Sequence, residues 1–249
     1  MLPCVILAGG IGKRMRPLTA NMPKALIPVL GRPFAELQLE RLAAQGVRDV
    51  VYSIGYRGEM IRETLGDGAR YGLRIVFVDE GQRLRGTAGA LRLALDEGLL
   101  PEAFFLLNGD SYLSLNLADV EAAWRTRGRV VLMTVLRNEG RWDRSNVSLR
   151  SDGSVLYDKR LAAQDGRLFE WIDYGLSIVT HEAIENSIPP SGVGDWADVV
   201  HALSVRDAVA GYEVGERFYE VGSPEGLRDL EEHLLASAQN VNPRRIFFD

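Results

Sequence analysis

The stretch LAGGIGKRMRP, residues 7–17, decides the fold expected for this chain. It follows a short apolar run at residues 5–7 that is typical of a buried strand. Its three glycines allow the backbone to turn sharply and to approach a ligand closely. Two arginines and a lysine follow, so backbone N–H groups and fixed positive charge meet in one loop, as polyphosphate binding requires. The stretch therefore predicts a phosphate-binding loop after the first strand.

The composition of the whole chain restricts its class. Its 249 residues allow one large α/β domain or two small ones, and 46% hydrophobic and 25% charged residues are ordinary values for a globular protein. A net charge of -5 argues against nucleic-acid binding by charge alone. No apolar run approaches the ~18 residues of a membrane span, and the start lacks the basic region of a signal peptide. We therefore expect a cytoplasmic protein with no nucleic-acid and no membrane partner.

Cysteine, histidine and lysine are each rare in this sequence. Cys4 has no second cysteine to pair with and is interpreted as a packing residue. The three histidines are far apart and lack cysteines nearby, which disfavours a zinc site. The only lysines are Lys13, Lys24 and Lys159. Either they stand where a compact charge binds phosphate, or they are residual surface lysines in an arginine-rich chain.

The first half of the chain alternates strand-like with helix-like segments. Apolar runs predict strands at residues 5–7, 49–54, 73–78, 103–107 and 130–136. Amphipathic or capped segments predict helices at residues 33–45, 58–65, 87–97 and 117–127. This alternation predicts right-handed βαβ units and a mostly parallel sheet with helices on both faces.

The second half has a more β-rich pattern. Residues 146–149 and 154–158 flank a Ser-Asp-Gly turn that predicts a hairpin. Further strands are expected at residues 171–179, 209–214 and 217–221, and helices at residues 197–205 and 224–238. Because no linker or repeat separates the halves, we expect one domain whose second half closes over a second ligand.

Two familiar glycine motifs do not explain the opening loop. The dinucleotide pattern G-x-G-x-x-G begins at Gly10 but requires glycine where Met15 stands. The P-loop pattern requires glycine in place of Leu7 and serine or threonine in place of Arg14. The loop is therefore a phosphate-binding candidate of another type.

Two more segments carry candidate chemistry. Asp110 follows the buried AFFLL run on a glycine turn, where a carboxylate suits Mg²⁺; the alternative is an Asx-turn or a helix cap. Residues 85–90, RGTAGA, open a helix whose small residues let a ring or ribose approach the backbone. A cap followed by close helix packing would give the same pattern. The Asp110 turn and the opening loop both follow strands at the same end of the sheet, where α/β sheets bind ligands.

Together these segments resemble the sugar-1-phosphate nucleotidyltransferase family. The similar motifs are LAGGIGKRMRPLT, then Pro23-Lys24, then residues 86–90, then NGDS at residues 108–111, in this order. The resemblance runs from residue 3 to about residue 235. It implies a Rossmann-like α/β fold in one domain, residues 1–240. The nucleotide-binding half would span about residues 1–135 and the more β-rich sugar-binding half about residues 136–240.

The resemblance also implies roles for individual residues. The implied catalytic residues neutralise or hold phosphate: Arg14, Lys24, Asp110 and Lys159. The implied nucleotide-binding residues are Leu7, Ala8, Gly9, Gly10, Gly12, Lys13, Arg14, Glu80, Gly86, Thr87 and Ala88. The implied sugar-binding residues are Gly109, Asp158, Lys159, Asp173 and Gly175. The implied cofactor is Mg²⁺, with Asp110 and Glu220 as its ligands. Lys13 stands at a variable family position, where the alternative is a solvent-facing lysine.

The chain departs from the family pattern at several of these positions. Glu220 replaces an aspartate, which keeps the charge but lengthens the arm. Asp173 replaces an asparagine and so exchanges an amide for an acceptor-only carboxylate. Ala25 stands where proline is usual. Because the central charges are retained, we expect an active enzyme of the EC 2.7.7 type.

The expected reaction joins an NTP and a sugar 1-phosphate into an NDP-sugar and releases pyrophosphate. The resemblance is greatest to mannose or heptose 1-phosphate guanylyltransferases, which implies GTP with a heptose or mannose 1-phosphate; the alternatives are a uridylyl- or cytidylyltransferase, or a non-catalytic nucleotide-sugar-binding regulatory subunit. A homo-oligomer is compatible with the sequence. The tail, residues 241–249, resembles the first strand of a haloacid-dehalogenase-type phosphatase. It indicates either a fused phosphatase domain after Asp249 or a plain C-terminal tail.

Overall fold

The computed structural model describes residues 1–81, 83–142, 144–160 and 169–241. The strands of this part are β1 (Cys4–Leu7), β2 (Pro28–Val29), β3 (Arg32–Pro33), β4 (Asp49–Ile54), β5 (Arg74–Asp79), β6 (Ala103–Asn108), β7 (Ser111–Tyr112), β8 (Val131–Arg137), β9 (Val147–Leu149), β10 (Val155–Tyr157), β11 (Trp171–Thr180), β12 (Val209–Val214) and β13 (Tyr219–Glu220). Its α-helices are α1 (Phe34–Ala44), α2 (Gly58–Leu65), α3 (Gly86–Asp96), α4 (Leu117–Arg127), α5 (His181–Ser187), α6 (Trp196–Val205) and α7 (Pro224–Val241).

One large mixed sheet organises these elements. Strands β5, β4, β1 and β6 lie side by side in that order and run parallel. Strand β11 then runs antiparallel to both β6 and β8, and β12 pairs in parallel with β8. The hairpin β9–β10 pairs at the start of β11. The predicted α/β fold with a mostly parallel central sheet is confirmed. Strands β9 to β13 form the more β-rich part of the chain.

Helices cover both faces of the sheet, as predicted. Leu39 of α1, Ile61 of α2 and Val120 of α4 are buried in one core cluster. Leu91 of α3 and Val200 of α6 are buried in a second cluster. Each apolar side chain of this size contributes about 1.5–3 kcal/mol when fully buried. Within the described ranges, no helix has the length and hydropathy needed to cross a membrane.

Cys4 lies in the hydrophobic core, in agreement with its interpretation as a packing residue. Cys4 is fully buried in β1, among the apolar side chains of the first core cluster. Burial raises the pKa of its thiol far above the usual range. The thiol therefore stays protonated and packs like a small apolar group.

The predicted boundaries agree closely with the structure, with a few differences. The last predicted strand, residues 217–221, contains only Tyr219–Glu220, because it pairs with the two-residue β7 and no further. The short helix α5 and the β2–β3 pair are additional elements that the sequence patterns did not predict. Helix α7 extends to Val241, and residues 242–249 lie outside the described residues together with the predicted phosphatase-like tail.

Candidate active site

A cleft of about 320 Å³ opens at the carboxyl ends of the parallel strands. The strand register creates it, because Leu7 pairs with Ser53 on one side and with Asn108 on the other. The ends of three strands therefore lie side by side, which is where α/β sheets bind ligands. The cleft is lined by Leu7, Ala8, Gly9, Gly10, Lys24, Ala25, Ser53, Glu80, Leu84, Gly86, Thr87, Ala90, Asn108, Gly109 and Asp110.

The glycine loop forms one wall of this cleft. A Cβ on Gly9 would lie 2.3 Å from Glu80 Oε1, so only glycine lets this carboxylate approach the backbone. Gly10 has open space on its Cβ side, which leaves room for a ligand. Gly12 takes a left-handed conformation with φ of 65°, and its carbonyl accepts a 2.8 Å hydrogen bond from Thr19 Oγ1. Gly12 therefore shapes the turn while Gly9 and Gly10 face the cleft.

Some predicted nucleotide-binding residues lie outside the cleft lining. Lys13 is exposed in a short 3-10 helix, as the solvent-facing alternative describes. Ala88 is buried, and its N–H donates to the Gly194 carbonyl at 3.0 Å. The Thr87 hydroxyl donates to Asp195 Oδ1 at 2.8 Å and accepts from Trp196 N at 2.7 Å. Thr87 thus ties the start of α3 to the start of α6, and only its remaining surface faces the cleft.

An ion pair crosses the cleft between two of the predicted catalytic residues. Lys24 Nζ donates to Asp110 Oδ2, and each side chain is about one-fifth exposed. Lys24 lies in a short 3-10 helix, and Asp110 lies in the turn between β6 and β7. The two residues are 86 positions apart in sequence, so the fold brings them together. This arrangement suits a phosphate with a bound metal ion, because the cation can bind the phosphate oxygens and the carboxylate can bind the metal.

Three charged side chains converge beside Gly222. A Cβ built on Gly222 would lie 2.2 Å from Glu220 Oε2, 3.1 Å from Arg14 Nη2 and 3.2 Å from Asp110 Oδ2. The Val221 N–H, which donates to the Asp110 carbonyl at 2.9 Å, holds this segment against the β6–β7 turn. Because glycine has no side chain, two carboxylates and a guanidinium come together around the space that a Cβ would occupy here.

The two carboxylates at Gly222 fit a magnesium ion. Asp110 and Glu220 are the predicted metal ligands, and both face the same space. Among the described residues no cluster of three or more His, Cys, Asp or Glu could hold a metal. Mg²⁺ is usually held by one or two carboxylates plus substrate phosphates and water, so two suffice. At present Glu220 accepts from the Gly222 N–H and from Ser223 Oγ, the latter at 2.6 Å, next to the start of α7.

A second cleft of about 600 Å³ contains the other predicted phosphate-binding lysine. Its lining consists of Asp158, Lys159, Arg160, Asp195, Ala197, Asp198 and His201. Thr87 of the first cleft bonds to Asp195 of the second, so the two clefts adjoin. Six of these seven residues have polar or charged side chains, which suits a hydroxylated ligand, and Lys159 and Arg160 provide positive charge for a phosphate.

Asp173 and Gly175, two further predicted sugar-binding residues, lie in β11, where Gly175 contacts the β6–β7 turn. Gly175 has φ of 92° at an irregularity in β11, and a Cβ there would lie 2.9 Å from Ser111 Oγ. Burial raises the pKa of the Asp173 carboxyl, while the Gly175 N–H and the Lys159 ammonium oppose that rise. Asp173 therefore interacts electrostatically with Lys159, and the sugar-binding role of both residues stays a prediction.

Sequence reasoning missed several residues that line or support these clefts. Ser53, next to the last residue of β4, lines the first cleft beside the glycine loop, a position that could have indicated it, whereas Asn108 was part of the NGDS motif but received no role. Asp195 precedes α6 and caps it, since its side chain accepts from Ala197 N. The cap pattern is visible in the sequence, but the hydrogen bond from Thr87 to Asp195 is not. His201 lines the second cleft and contacts the Tyr157 carbonyl at 2.8 Å through Nδ1.

Relatives with sequence similarity share a common description. A mannose-1-phosphate guanyltransferase of Yarrowia lipolytica is 28% identical over 246 residues, which cover 97% of this chain and 66% of that protein. The mannose-1-phosphate guanyltransferase of Saccharomyces cerevisiae is 41% identical over 136 residues, which cover 53% of this chain and 37% of that protein. The chain thus spans between about one third and two thirds of the length of the curated relatives it matches.

Solved structures and a family model complete the comparison. HddC from Yersinia pseudotuberculosis, complexed with GMP-PN, has a TM-score of 0.74 at 21% identity, covering 94% of this chain and all of that one. A putative glucose-1-phosphate thymidylyltransferase from Bacillus anthracis has a TM-score of 0.77 at 18% identity, covering 100% of this chain and 98% of that one. At these identities the likeness shows the fold alone. The model described as nucleotidyl transferase matches residues 4–141, more than half of the 249 residues, and the chain therefore belongs to the nucleotidyl transferase family.

Proposed function

We propose that this chain transfers a nucleotidyl group from an NTP to a sugar 1-phosphate, giving an NDP-sugar and pyrophosphate, a step of nucleotide-sugar biosynthesis. The observation that carries the proposal is the β6–β7 turn. Asp110 in that turn lines the first cleft beside Lys24, while Ser111 next to it lies against Gly175, whose N–H donates to Asp173 Oδ1 at 3.0 Å. A nucleotide in one cleft and a sugar phosphate in the other would thus meet at one charged turn.

The residues at this turn suit an in-line displacement. An oxygen of the sugar 1-phosphate attacks the α-phosphorus, the bond from that phosphorus to the bridging oxygen breaks, and pyrophosphate leaves with the electron pair. The nucleophile is already anionic at neutral pH, so the side chains need not remove a proton. Lys24, Arg14 and Lys159 bring two anions together and neutralise their charge, which is positioning and electrostatic catalysis. A Mg²⁺ ion held by Asp110 and Glu220 would supply further charge neutralisation on the phosphates.

Glu80 favours guanine as the base. Its carboxylate faces the cleft and accepts a 2.6 Å hydrogen bond from Arg85 N through Oε2. Burial raises the pKa of Glu80, and the Arg85 N–H opposes that rise. A carboxylate only accepts hydrogen bonds, and guanine presents neighbouring N1–H and N2–H donors on one edge, whereas uracil places carbonyl acceptors on both sides of its single N–H. The proposed nucleotide is therefore GTP, as in the guanyltransferase names of the similar proteins.

The proposed sugar is a mannose or heptose 1-phosphate. The relatives with 41% identity over half of this chain carry mannose 1-phosphate in their names. The experiment is to measure pyrophosphate release for four NTPs combined with several sugar 1-phosphates. We expect the fastest release with GTP and one of these two sugars. Nucleotide binding without release in any combination would instead favour the regulatory alternative. The cytoplasmic location, the homo-oligomer and the fused phosphatase stay predictions from the sequence.

Changing Glu80 to glutamine is expected to alter base preference. Glu80→Gln keeps the side-chain length but places an NH₂ group opposite the guanine donors, so kcat/KM with GTP should fall by about 10- to 100-fold, the effect of roughly 1–3 kcal/mol. The ratio of UTP to GTP use should rise at the same time. Glu59→Gln is the control, because Glu59 is exposed on α2. An unchanged ratio in Glu80→Gln would contradict the assignment of Glu80 to the base.

A further inference from the structure

Gln38 is a buried polar residue that the predicted site does not include. It lies on α1 and is 3% exposed. Its Nε2 donates to the Asn108 carbonyl at 3.0 Å and to the Ser111 carbonyl at 2.9 Å. Both amide hydrogens are therefore used, and they join the two ends of the same β6–β7 turn. One side chain thus spans the turn that carries Gly109 and Asp110.

The rest of the turn is fixed by backbone hydrogen bonds. Gly109 N donates to the Leu7 carbonyl at 2.9 Å, and Val221 N donates to the Asp110 carbonyl at 2.9 Å. These bonds attach the turn to β1 and to the segment after β13. Gln38 adds the attachment to α1, so three separate elements determine where the Asp110 carboxylate lies.

The surroundings of Gln38 favour an apolar residue rather than an amide. Leu42, Leu107, Leu113 and Leu176 line the same small cavity. Gln38 Oε1 is buried and has no hydrogen-bond partner among the described residues. An unpaired buried acceptor lowers stability. Packing alone therefore does not explain the glutamine, whereas its two donated hydrogen bonds to the turn do.

We propose that Gln38 is a positioning residue that sets the geometry of Asp110 for metal binding. The inference rests on the proposed function in one respect, namely that Asp110 holds the metal of the nucleotide. Without the two Nε2 hydrogen bonds, Asn108 and Ser111 lose their common partner and the turn relaxes. The Asp110 carboxylate then no longer faces the space at Gly222 together with Glu220.

Gln45, the cap residue that follows the last residue of α1, offers a matched control. It lines the same cavity, and its Oε1 accepts a 2.8 Å hydrogen bond from Leu117 N at the start of α4. Gln45→Leu therefore also removes a glutamine hydrogen bond to the backbone, but one that does not touch the β6–β7 turn. Any effect of Gln38→Leu that Gln45→Leu does not share is due to the loss of the hydrogen bonds to the β6–β7 turn.

The experiment measures metal affinity and turnover separately in the full chain. Mn²⁺ is titrated by electron paramagnetic resonance in the presence of a non-hydrolysable GTP analogue. We expect Gln38→Leu to weaken Mn²⁺ binding by about tenfold or more, and Gln45→Leu by less than about twofold. The expected kinetic signature is a loss in kcat with little change in KM for the sugar 1-phosphate. Thermal unfolding of both variants reports any general loss of stability.

A second variant keeps the proposal testable if Gln38→Leu does not fold. Gln38→Glu preserves size and length, but its carboxyl group donates to at most one of the two carbonyls when protonated and to neither when ionised, so a loss of Mn²⁺ affinity is again expected. Equal Mn²⁺ affinity in the wild type and in the folded Gln38 variants, including the case in which none binds the ion, overturns the proposal. Weakened Mn²⁺ binding in a chain that transfers no nucleotidyl group would sink the proposed function and leave the positioning role of Gln38 supported.

Discussion

Asp110→Asn is expected to lower kcat/KM for NDP-sugar formation by about 10³-fold or more. The carboxylate is one of two that face the space at Gly222, and it also pairs with Lys24. The amide keeps the shape but removes the charge, so metal affinity falls and Lys24 loses its partner. A catalytic metal supplies several kcal/mol of charge stabilisation, which corresponds to this factor.

The same substitution should leave the chain folded. The Asp110 and Lys24 side chains are 21% and 22% exposed, and breaking an ion pair near the surface changes the free energy of unfolding by about 1 kcal/mol or less. Circular dichroism and thermal unfolding would check this beside a pyrophosphate-release assay. Asp119→Asn, an exposed aspartate in the first turn of α4, is the control and should retain activity. Near-normal turnover in Asp110→Asn would contradict both the metal role and the proposed function.

Gly86→Ala is expected to destabilise the chain by roughly 3 kcal/mol. Gly86 has φ of 73°, a conformation that costs a residue with a Cβ about 1–2 kcal/mol. A Cβ there would also lie 2.4 Å from the Gly194 carbonyl oxygen. That oxygen accepts the Ala88 N–H, so moving it away loses a hydrogen bond as well. Because Gly86 lines the first cleft, nucleotide affinity should fall with stability.

Gly98→Ala separates the two contributions to this loss. Gly98 has φ of 68°, but no atom lies within 4 Å of a Cβ built there. It should therefore show only the conformational cost of about 1–2 kcal/mol. Urea unfolding of the two variants measures the difference, which reports the clash with Gly194. Equal losses of unfolding free energy in both variants would mean that the residues around Gly194 move away from the new Cβ freely. The contact between α3 and the segment around Gly194 would then be loose.

Local sequence patterns were sufficient for most of the fold. The run DVVYSI became β4 with the predicted bounds, because five of its six side chains are buried and a continuous apolar run between polar residues marks such a strand. Helix α5 escaped prediction since only Ala183 and Ile184 are buried in its seven residues. Strand β7 has two residues and pairs with β13, which is distant in sequence, so its pattern is not local; a strand was predicted at β13, but with too many residues.

Candidate site residues that belong to a sequence motif could be predicted from the sequence. Residues that act through hydrogen bonds to partners far away in the sequence could not. Lys24 and Asp110 each follow a recognisable segment, and both line the first cleft, while their roles in catalysis stay predictions. Gln38 looks like any polar position on an amphipathic helix, although its partners are 70 and 73 residues away. Asp195 is 108 residues from Thr87, so their bond has no sequence signal. Such contacts depend on the assembled tertiary structure rather than on periodicity or capping patterns.

The position of β11 restricts how the molecule can move. This strand belongs to the predicted sugar-binding half, yet it pairs with β6 from Leu176 opposite Leu107 to Thr180 opposite Ala103, and it pairs with β8 on its other edge. A rigid-body rotation between the halves would have to break these hydrogen bonds. Both substrates are therefore expected to bind over one rigid sheet. Any closing motion on binding is expected in the loops that lie above that sheet.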